Sequence, residues 1–230
     1  MHESEPEPAP PVLSAADRSA IVGAKRTLRT AVLHRRRARS PEARASADHA
    51  RTLRVQEFIG DLARPGLTVA AYLSTDDEPA TLELISWLAA LELRVLLPVL
   101  GREPGRLPDD ESGRQAPAWA VYTGPDGLRE GRYGIAEPSG EALPSTHLTE
   151  AHLVIVPGLA GNQYGHRLGR GGGWYDRALG HTDAVRLLLL NDDEVMPAVP
   201  VEPNDRHVDV IITEQRTIHC TADASVNPDY

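Results

Sequence analysis

Residues 165 to 180 read GHRLGRGGGWYDRALG, three consecutive glycines between arginines, followed by two aromatic residues and an aspartate. Glycine loses more backbone freedom on folding than any other residue, so three in a row call for a reason. One reason is anion binding. Backbone without side chains lets successive N–H groups converge on phosphate oxygens, and a helix starting directly afterwards adds partial positive charge. Arg167 and Arg170 each offer a bidentate fork to the same anion. The spacing matches neither GxGxxG nor GxxxxGK followed by Ser or Thr, so neither a dinucleotide fold nor a P-loop is indicated. The alternative is a tight glycine turn with solvated arginines, and spacing alone leaves both open.

Three further residues belong beside such a cradle. A carboxylate next to bound phosphate implies a magnesium ion, which takes one or two carboxylates together with phosphate oxygens and water. Asp176 follows the bend directly, and Asp205, in VPVEPNDRHVDVIIT, is a second candidate. Their structural alternatives are a helix N-terminal charge for Asp176 and an Asx-turn for Asp205. Of 24 lysines and arginines, only Lys25 is a lysine. A compact ammonium does what a planar guanidinium does not duplicate, although a chance survivor on a solvated helix face would look the same. His207 and Asp209 share a strand face near Asp205 and are given a supporting role only.

These residues need elements to hold them. Ser14 with Asp17 makes a capping-box start for a helix carrying Ile21, Leu28, Val32 and Leu33. Ser40–Pro41 starts a second helix with Leu53, Phe58, Ile59 and Leu62 facing inward. GLTVAAYLS at 66–74 reads as a buried strand, TLELISWLAALEL from Thr81 as a helix and RVLLPVL from Arg94 as a strand. Residues 101–117 are too rich in Gly, Pro and Asp to be regular, and AWAVYT and the RYGIAEP region hold short strands. HLVIVP, AVRLLLL and HVDVIITE are the remaining strands, with a short helix at WYDRAL. Trp87 and Trp119 are read as packing residues. The fold class expected is α/β, a single domain with a mainly parallel central sheet flanked by helices and an N-terminal helical pair packed against it. Its expected bounds are 14–220, between an acidic, Pro-rich disordered tail at 1–13 and a C-terminal tail at 221–230.

Composition excludes several classes. The net charge of −9 opposes general nucleic-acid binding. No apolar run approaches the roughly 20 residues that span a bilayer. One cysteine, Cys220, excludes an intramolecular disulfide or a cysteine metal cluster. With no basic-then-apolar leader, the expectation is a cytoplasmic protein with small-molecule partners and, by default, a monomer.

Taken in order, VPGLAGNQYGHRLGRGGGWYDRAL, AKRTLR, YLSTDDEPAT and VPVEPNDRHVDVIIT resemble the motifs of the 5-formyltetrahydrofolate cyclo-ligases over about residues 17 to 214. The glycine segment is highly specific; the other three are weak singly. The resemblance implies an enzyme that uses ATP and Mg2+ to convert 5-formyltetrahydrofolate into 5,10-methenyltetrahydrofolate, ADP and phosphate. It places Lys25, Arg29 and Arg167 on the nucleotide, and Arg170, Gly171, Gly172, Gly173, Trp174 and Tyr175 in the loop against it, with Trp174 also reaching the substrate. Lys25 and Arg170 become the catalytic cations, Asp176 and Asp205 the magnesium carboxylates, and Leu73 and Glu78 substrate contacts, Glu78 holding the pterin's hydrogen-bonding edge.

The implied chemistry asks for positioning and charge neutralisation more than covalent help from the protein. The formyl oxygen attacks the γ-phosphate, and N10 of the same folate then displaces phosphate. The chain departs from the family at Gly161-Asn162, commonly Phe-Asp, and at Trp174, often tyrosine. Losing the aromatic at 161 would loosen the pocket wall. The alternatives are therefore a divergent paralogue that binds nucleotide or folate without this turnover, and a sugar-phosphate isomerase-like enzyme on a similar scaffold.

Overall fold

The computed structural model describes residues 14–60, 63–75, 77–100 and 116–221. Helix α1 (Ala15–Ala38) starts where the capping box requires: Asp17 N–H donates to Ser14 Oγ, and Ser14 N–H donates back to the Asp17 carboxylate. Helix α2 (Pro41–Ile59) is capped by Ser40, with proline at its first position. Helices α3 (Leu82–Ala90) and α4 (Trp174–Ala178) follow later in the chain.

The longer strands are β1 (Thr68–Ala70), β2 (Arg94–Val99), β3 (Ala118–Val121), β7 (Ala151–Pro157), β10 (Val185–Leu189) and β11 (Val210–Ile212). Shorter ones are β4 (Leu128–Glu130), β5 (Ala136–Pro138), β6 (Leu143–Pro144), β8 (Ala160–Gly161), β9 (Arg167–Leu168) and β12 (Thr217–His219). Among the described residues the main sheet has eight strands in the order β12-β11-β10-β7-β1-β2-β3-β6. Its inner five, β11 to β2, are parallel, and the antiparallel strands lie outside them. The five buried strands expected from the sequence are those five, and the fold is the expected α/β domain.

Both faces of the parallel strands are buried, which is why they read as continuous apolar runs. Leu153, Ile155, Leu187, Leu189, Val210 and Ile212 face the layer formed by Val55 and Ile59 of α2 and Leu84, Ile85 and Leu88 of α3. The alternate residues Val154, Val156, Leu188 and Ile211 face Leu148, Trp119 and the Ala178–Leu179 end of α4. Trp119 is fully buried and Trp87 packs at the edge of the first layer.

The inward face of α2 differs from the expected one. Leu53 is 51% exposed, and the buried stripe is Ala47, Arg51, Thr52, Val55 and Ile59. Residues four apart stack on one face, so 47, 51, 55 and 59 align while 53 falls on the far side. Arginine is tolerated in that stripe because its guanidinium donates to Leu190 O at 2.9 Å, Asn191 Oδ1 at 2.8 Å and Asp48 Oδ1 at 2.6 Å. Phe58 is half-buried on the expected inward side, and Leu62 lies outside the described residues, as do the N-terminal tail, residues 222–230 and most of 101–117.

Helix α1 packs elsewhere. Val32 joins Leu159, Ala160, Leu168 and Val199, so this helix lies on the β8–β9 hairpin. Ile21, Leu28 and Leu33 are only half-buried, whereas Lys25 and Arg36 are buried. A helix that buries its charges faces something polar.

Cys220 follows β12, and its thiol pKa is pushed up to about 11, by burial first and then by the Asp209 carboxylate. The folded state favours the protonated thiol, so its contribution to stability is intact below pH 9 and lost as pH rises toward about 11. Alkylation by iodoacetamide at pH 8 should therefore be slow in the folded protein and rise about tenfold per pH unit as the thiolate forms. Equal rates in folded and urea-unfolded protein at pH 8 would refute this.

Candidate active site

The hairpin under α1 delivers the glycine bend. Asn162 Oδ1 accepts from the Tyr164 and His166 N–H groups at 3.1 Å each and shapes the reversal between β8 and β9. Gly165 completes it at φ +82°, where an added Cβ would stand on the Val208 carbonyl oxygen. Gly165→Ala combines a left-handed backbone with that clash and should cost at least about 2 kcal/mol, a Tm fall of roughly 4–8 °C by thermal unfolding. A Tm equal to wild type would refute it.

Gly161 does not open a pocket wall. A Cβ there would meet Leu188 Cδ2 at 2.9 Å, Ile211 Cδ1 at 3.0 Å and Leu190 Cδ1 at 3.2 Å, so the position faces the packed core and side-chain ends fill the space an aromatic would take. The expectation of a loosened wall is corrected accordingly. Asn162 likewise serves the turn, which leaves Trp174 as the remaining departure beside the bend.

From Arg167 the chain enters the bend, and each expected site residue can be placed. Arg167 is buried; its Nη2 donates to Asp176 Oδ1 at 2.7 Å and its Nη1 to Pro157 O at 3.2 Å. Arg170 Nε donates to Glu78 Oε1 at 2.9 Å, and its Nη2 to Thr75 Oγ1 at 3.0 Å. Gly171, at φ +98°, lies against Arg29: a Cβ would sit 3.3 Å from that guanidinium carbon. Arg29 Nε donates to Gly169 O at 2.9 Å. Gly172 is open to solvent, and Gly173, in the left-handed region, starts α4.

Lys25 is buried, and its Nζ donates to Asp205 Oδ2 at 2.6 Å and Glu202 Oε2 at 2.7 Å. Asp205 Oδ2 also accepts from Glu202 N–H at 2.8 Å, so one carboxylate shapes its turn and holds the lysine. Arg206 N–H donates to Asp176 Oδ1 at 3.2 Å, which brings the segment carrying Asp205 to Asp176. Lys25, Arg29, Arg167, Arg170, the glycines, Glu78, Asp176 and Asp205 therefore form one connected array, although they come from four separate stretches of chain.

The loop carrying Leu73 and Glu78 is braced from within. Tyr72 Oη donates to Pro79 O at 3.1 Å, Thr81 Oγ1 donates to Tyr72 O at 2.6 Å, and Thr75 N–H donates to Glu78 Oε2 at 3.0 Å. Burial, then the Glu78 charge, raises the Tyr72 pKa, so this phenol remains a donor. Leu73 is half-buried at the edge of the core.

Trp174, Tyr175 and Trp119 pack together, with Trp174 ring centroids 5.1 Å from Trp119 and 4.8 Å from Tyr175. Among the described residues, Trp174 Nε1 and Tyr175 Oη find no hydrogen-bond partner. Burial chiefly, and then Glu78, pushes the Tyr175 pKa well up, which keeps its proton in place. Asp209 and His207 stand apart: Asp209 Oδ2 accepts from Arg186 N–H at 2.7 Å, and the His207 ring meets His166 edge-on at 4.8 Å.

Sequence reading missed Glu202. Its signal was present three residues before Asp205, where a turn returns one carboxylate beside the other.

A model of the 5-formyltetrahydrofolate cyclo-ligase family matches residues 21–214. A protein of Mycolicibacterium smegmatis named 5-formyltetrahydrofolate cyclo-ligase is 36% identical over 197 residues, covering 84% of this chain and 95% of that one. Its Escherichia coli K12 namesake is 31% identical over 153 residues, 65% of this chain and 79% of that one. The solved 5,10-methenyltetrahydrofolate synthetase of Aquifex aeolicus superposes with a TM-score of 0.70 at 25% identity, over 88% of this chain and 96% of that one. The synthetase from Mycoplasma pneumoniae, 16% identical, shares the fold with a TM-score of 0.61 over 83% and 98%. A matched stretch running from α1 to beyond β11 includes every part of the connected array, and the chain belongs to the 5-formyltetrahydrofolate cyclo-ligase family.

Proposed function

We propose that the protein converts 5-formyltetrahydrofolate and ATP into 5,10-methenyltetrahydrofolate, ADP and phosphate. The observation carrying this reading is the junction at the glycine bend. Arg170 reaches the Glu78 loop while Gly171 lies against Arg29 of α1, so a nucleotide cradle and a folate loop share one wall.

The array matches what the reaction needs. The formyl oxygen attacks the γ-phosphorus, and the P–O bond to the β-phosphate breaks, releasing ADP. N10 then attacks the activated carbon, its proton is lost, and the C–O bond to phosphate breaks. Charge accumulates on phosphate oxygens in both steps, and Lys25, Arg29, Arg167 and Arg170 offset it with no side-chain nucleophile required. N10 and its target belong to one molecule, so the second step gains from proximity. Glu78 accepts from the pterin's N–H edge and fixes where the formyl group lies, beside Leu73 and Trp174.

Asp176 and Asp205 suit a magnesium ion: each engages a cation through one oxygen, Oδ1 and Oδ2 respectively, in adjoining segments. Among the described residues no group of three or more His, Cys, Asp or Glu could hold a metal by itself. That agrees with an ion that keeps water and phosphate among its ligands. Bound there, magnesium would neutralise the β- and γ-phosphates. Lys25 and Arg167, which hold these two carboxylates, would then be the cations that turn to phosphate. The partners proposed are these small molecules, acting on a monomer. No described helix is long and apolar enough to cross a membrane.

Incubation with 5-formyltetrahydrofolate, ATP and Mg2+ should produce the methenyl absorbance band with one phosphate released per product. Folded protein that binds ATP and gives no product would overturn the proposal. Turnover that survives EDTA would remove the magnesium role.

A further inference from the structure

Arg36 lies eleven residues beyond Lys25, on the same stripe of α1 as Lys25, Arg29 and Val32 and about 16 Å along the axis. It is buried, and every nitrogen of its fork is used. Nε and Nη2 donate to Glu194 Oε1 and Oε2 at 2.7 Å each, Nη2 also to Gly158 O at 2.7 Å, and Nη1 to Asp77 O at 3.2 Å. Gly158 directly follows β7 and leads toward the β8–β9 hairpin; Asp77 directly precedes Glu78.

A second brace meets the same loop from α2. Ala80 N–H donates to Asp48 Oδ1 at 3.0 Å, and Arg51 Nη1 holds that oxygen at 2.6 Å. The two braces join at Asn191, whose Oδ1 accepts from Arg51 at 2.8 Å and whose Nδ2 donates to Glu194 at 2.8 Å. Arg51, Asn191, Glu194 and Arg36 thus form one buried chain of charge-assisted hydrogen bonds ending on the backbone beside Glu78. A cavity lined by Arg36, Arg44, Asp48, Ser74 and Glu78 adjoins the loop, so the loop would have room to move if the braces let go.

We propose that Arg36 is a positioning residue for folate recognition: through the Asp77 carbonyl it fixes the loop at the height where Glu78 meets the pterin. Satisfying Glu194 alone would not need the fork's third arm, and that arm ends one residue from the substrate-reading carboxylate. The helix that carries the nucleotide-facing cations therefore also sets the folate loop. The inference rests on Glu78 binding the folate.

Arg36→Lys retains a positive charge against Glu194 but is a point charge, unable to reach the carboxylate and both carbonyls together. Expected are faster amide hydrogen exchange in loop residues 77–80 and a KM for 5-formyltetrahydrofolate raised about tenfold, with the KM for ATP near wild type and a lowered Tm, since buried acceptors lose donors. If Arg36→Lys fails to fold, the double variant R36M/E194Q, which removes both charges together, carries the same readouts. Unchanged loop exchange would overturn the clamp. So would faster exchange with an unaltered KM for the folate, or equal shifts in both KM values. Loop exchange is read on protein alone, so wild type that binds no folate would defeat the proposed function and this inference together, whereas an intact wild-type activity with an insensitive loop defeats only the inference.

Discussion

Lys25→Met should lower kcat/KM for ATP by about a hundred- to a thousandfold and leave the protein folded. Lys25 is buried, so the lost ammonium is not replaced by another mobile cation, and the neighbouring Arg29 is engaged with Gly169 O. Breaking a wholly buried ion pair would cost about 3–5 kcal/mol and threaten folding. Here the partner carboxylates have solvent: the side chains of Glu202 and Asp205 are 37% and 20% exposed and can hydrate once the amine is gone. Steady-state kinetics at varied ATP, paired with a thermal melt, separates the two effects. Near-normal kcat/KM would return Lys25 to a purely structural role; loss of the fold would mean that its two ion pairs matter mainly to stability. Lys25→Arg should not rescue, because the ammonium is enclosed and a guanidinium is larger and planar.

Glu78→Ala should raise the KM for 5-formyltetrahydrofolate by about a hundredfold or more while ATP binding persists, since a buried polar edge left unpaired is heavily penalised. Both Glu78 oxygens are engaged in the structure, Oε1 by Arg170 and Oε2 by Thr75 N–H. Alanine releases Arg170, so ATP affinity measured by calorimetry should hold or increase slightly. Arg170→Ala should do the opposite, reducing ATP use most. A Glu78→Ala protein that loses ATP and keeps folate would invert the assignment. The ion pair adds a sharper expectation: a nonhydrolysable ATP analogue, by drawing Arg170 onto phosphate, should tighten folate binding in wild type and do so far less in Arg170→Ala.

Local chemistry made much of this legible. Ser14 with Asp17, and Ser40 with Pro41, mark where α1 and α2 begin, because caps act over three or four residues. The five apolar runs are strands buried on both faces, and no partner needs to be known to recognise them. The glycine run between Arg170 and Trp174 marks a bend rich in free backbone N–H groups, although by itself it leaves anion binding and a plain tight turn both open. Where reading failed, a distant contact had decided the outcome. Leu53 reads as inward on hydrophobicity, yet Arg51 takes the inner stripe because Leu190 O and Asn191 Oδ1, some 140 residues away in sequence, satisfy its guanidinium. Gly161 reads in the sequence as a missing pocket wall, whereas the ends of Leu188 and Ile211 occupy the space beside it.

From the residues alone came the α/β class, the starts of the helices and the kinds of groups available: cations, a glycine backbone and carboxylates. Pairing was beyond them. That Lys25 meets Asp205 and Glu202, that Arg167 meets Asp176, and that Arg170 meets Glu78 depends on α1 lying across the β8–β9 hairpin and on β1 standing beside β7. Propensity and periodicity act within a few residues, whereas an ion pair spanning 180 positions exists only once the sheet has set its strand order.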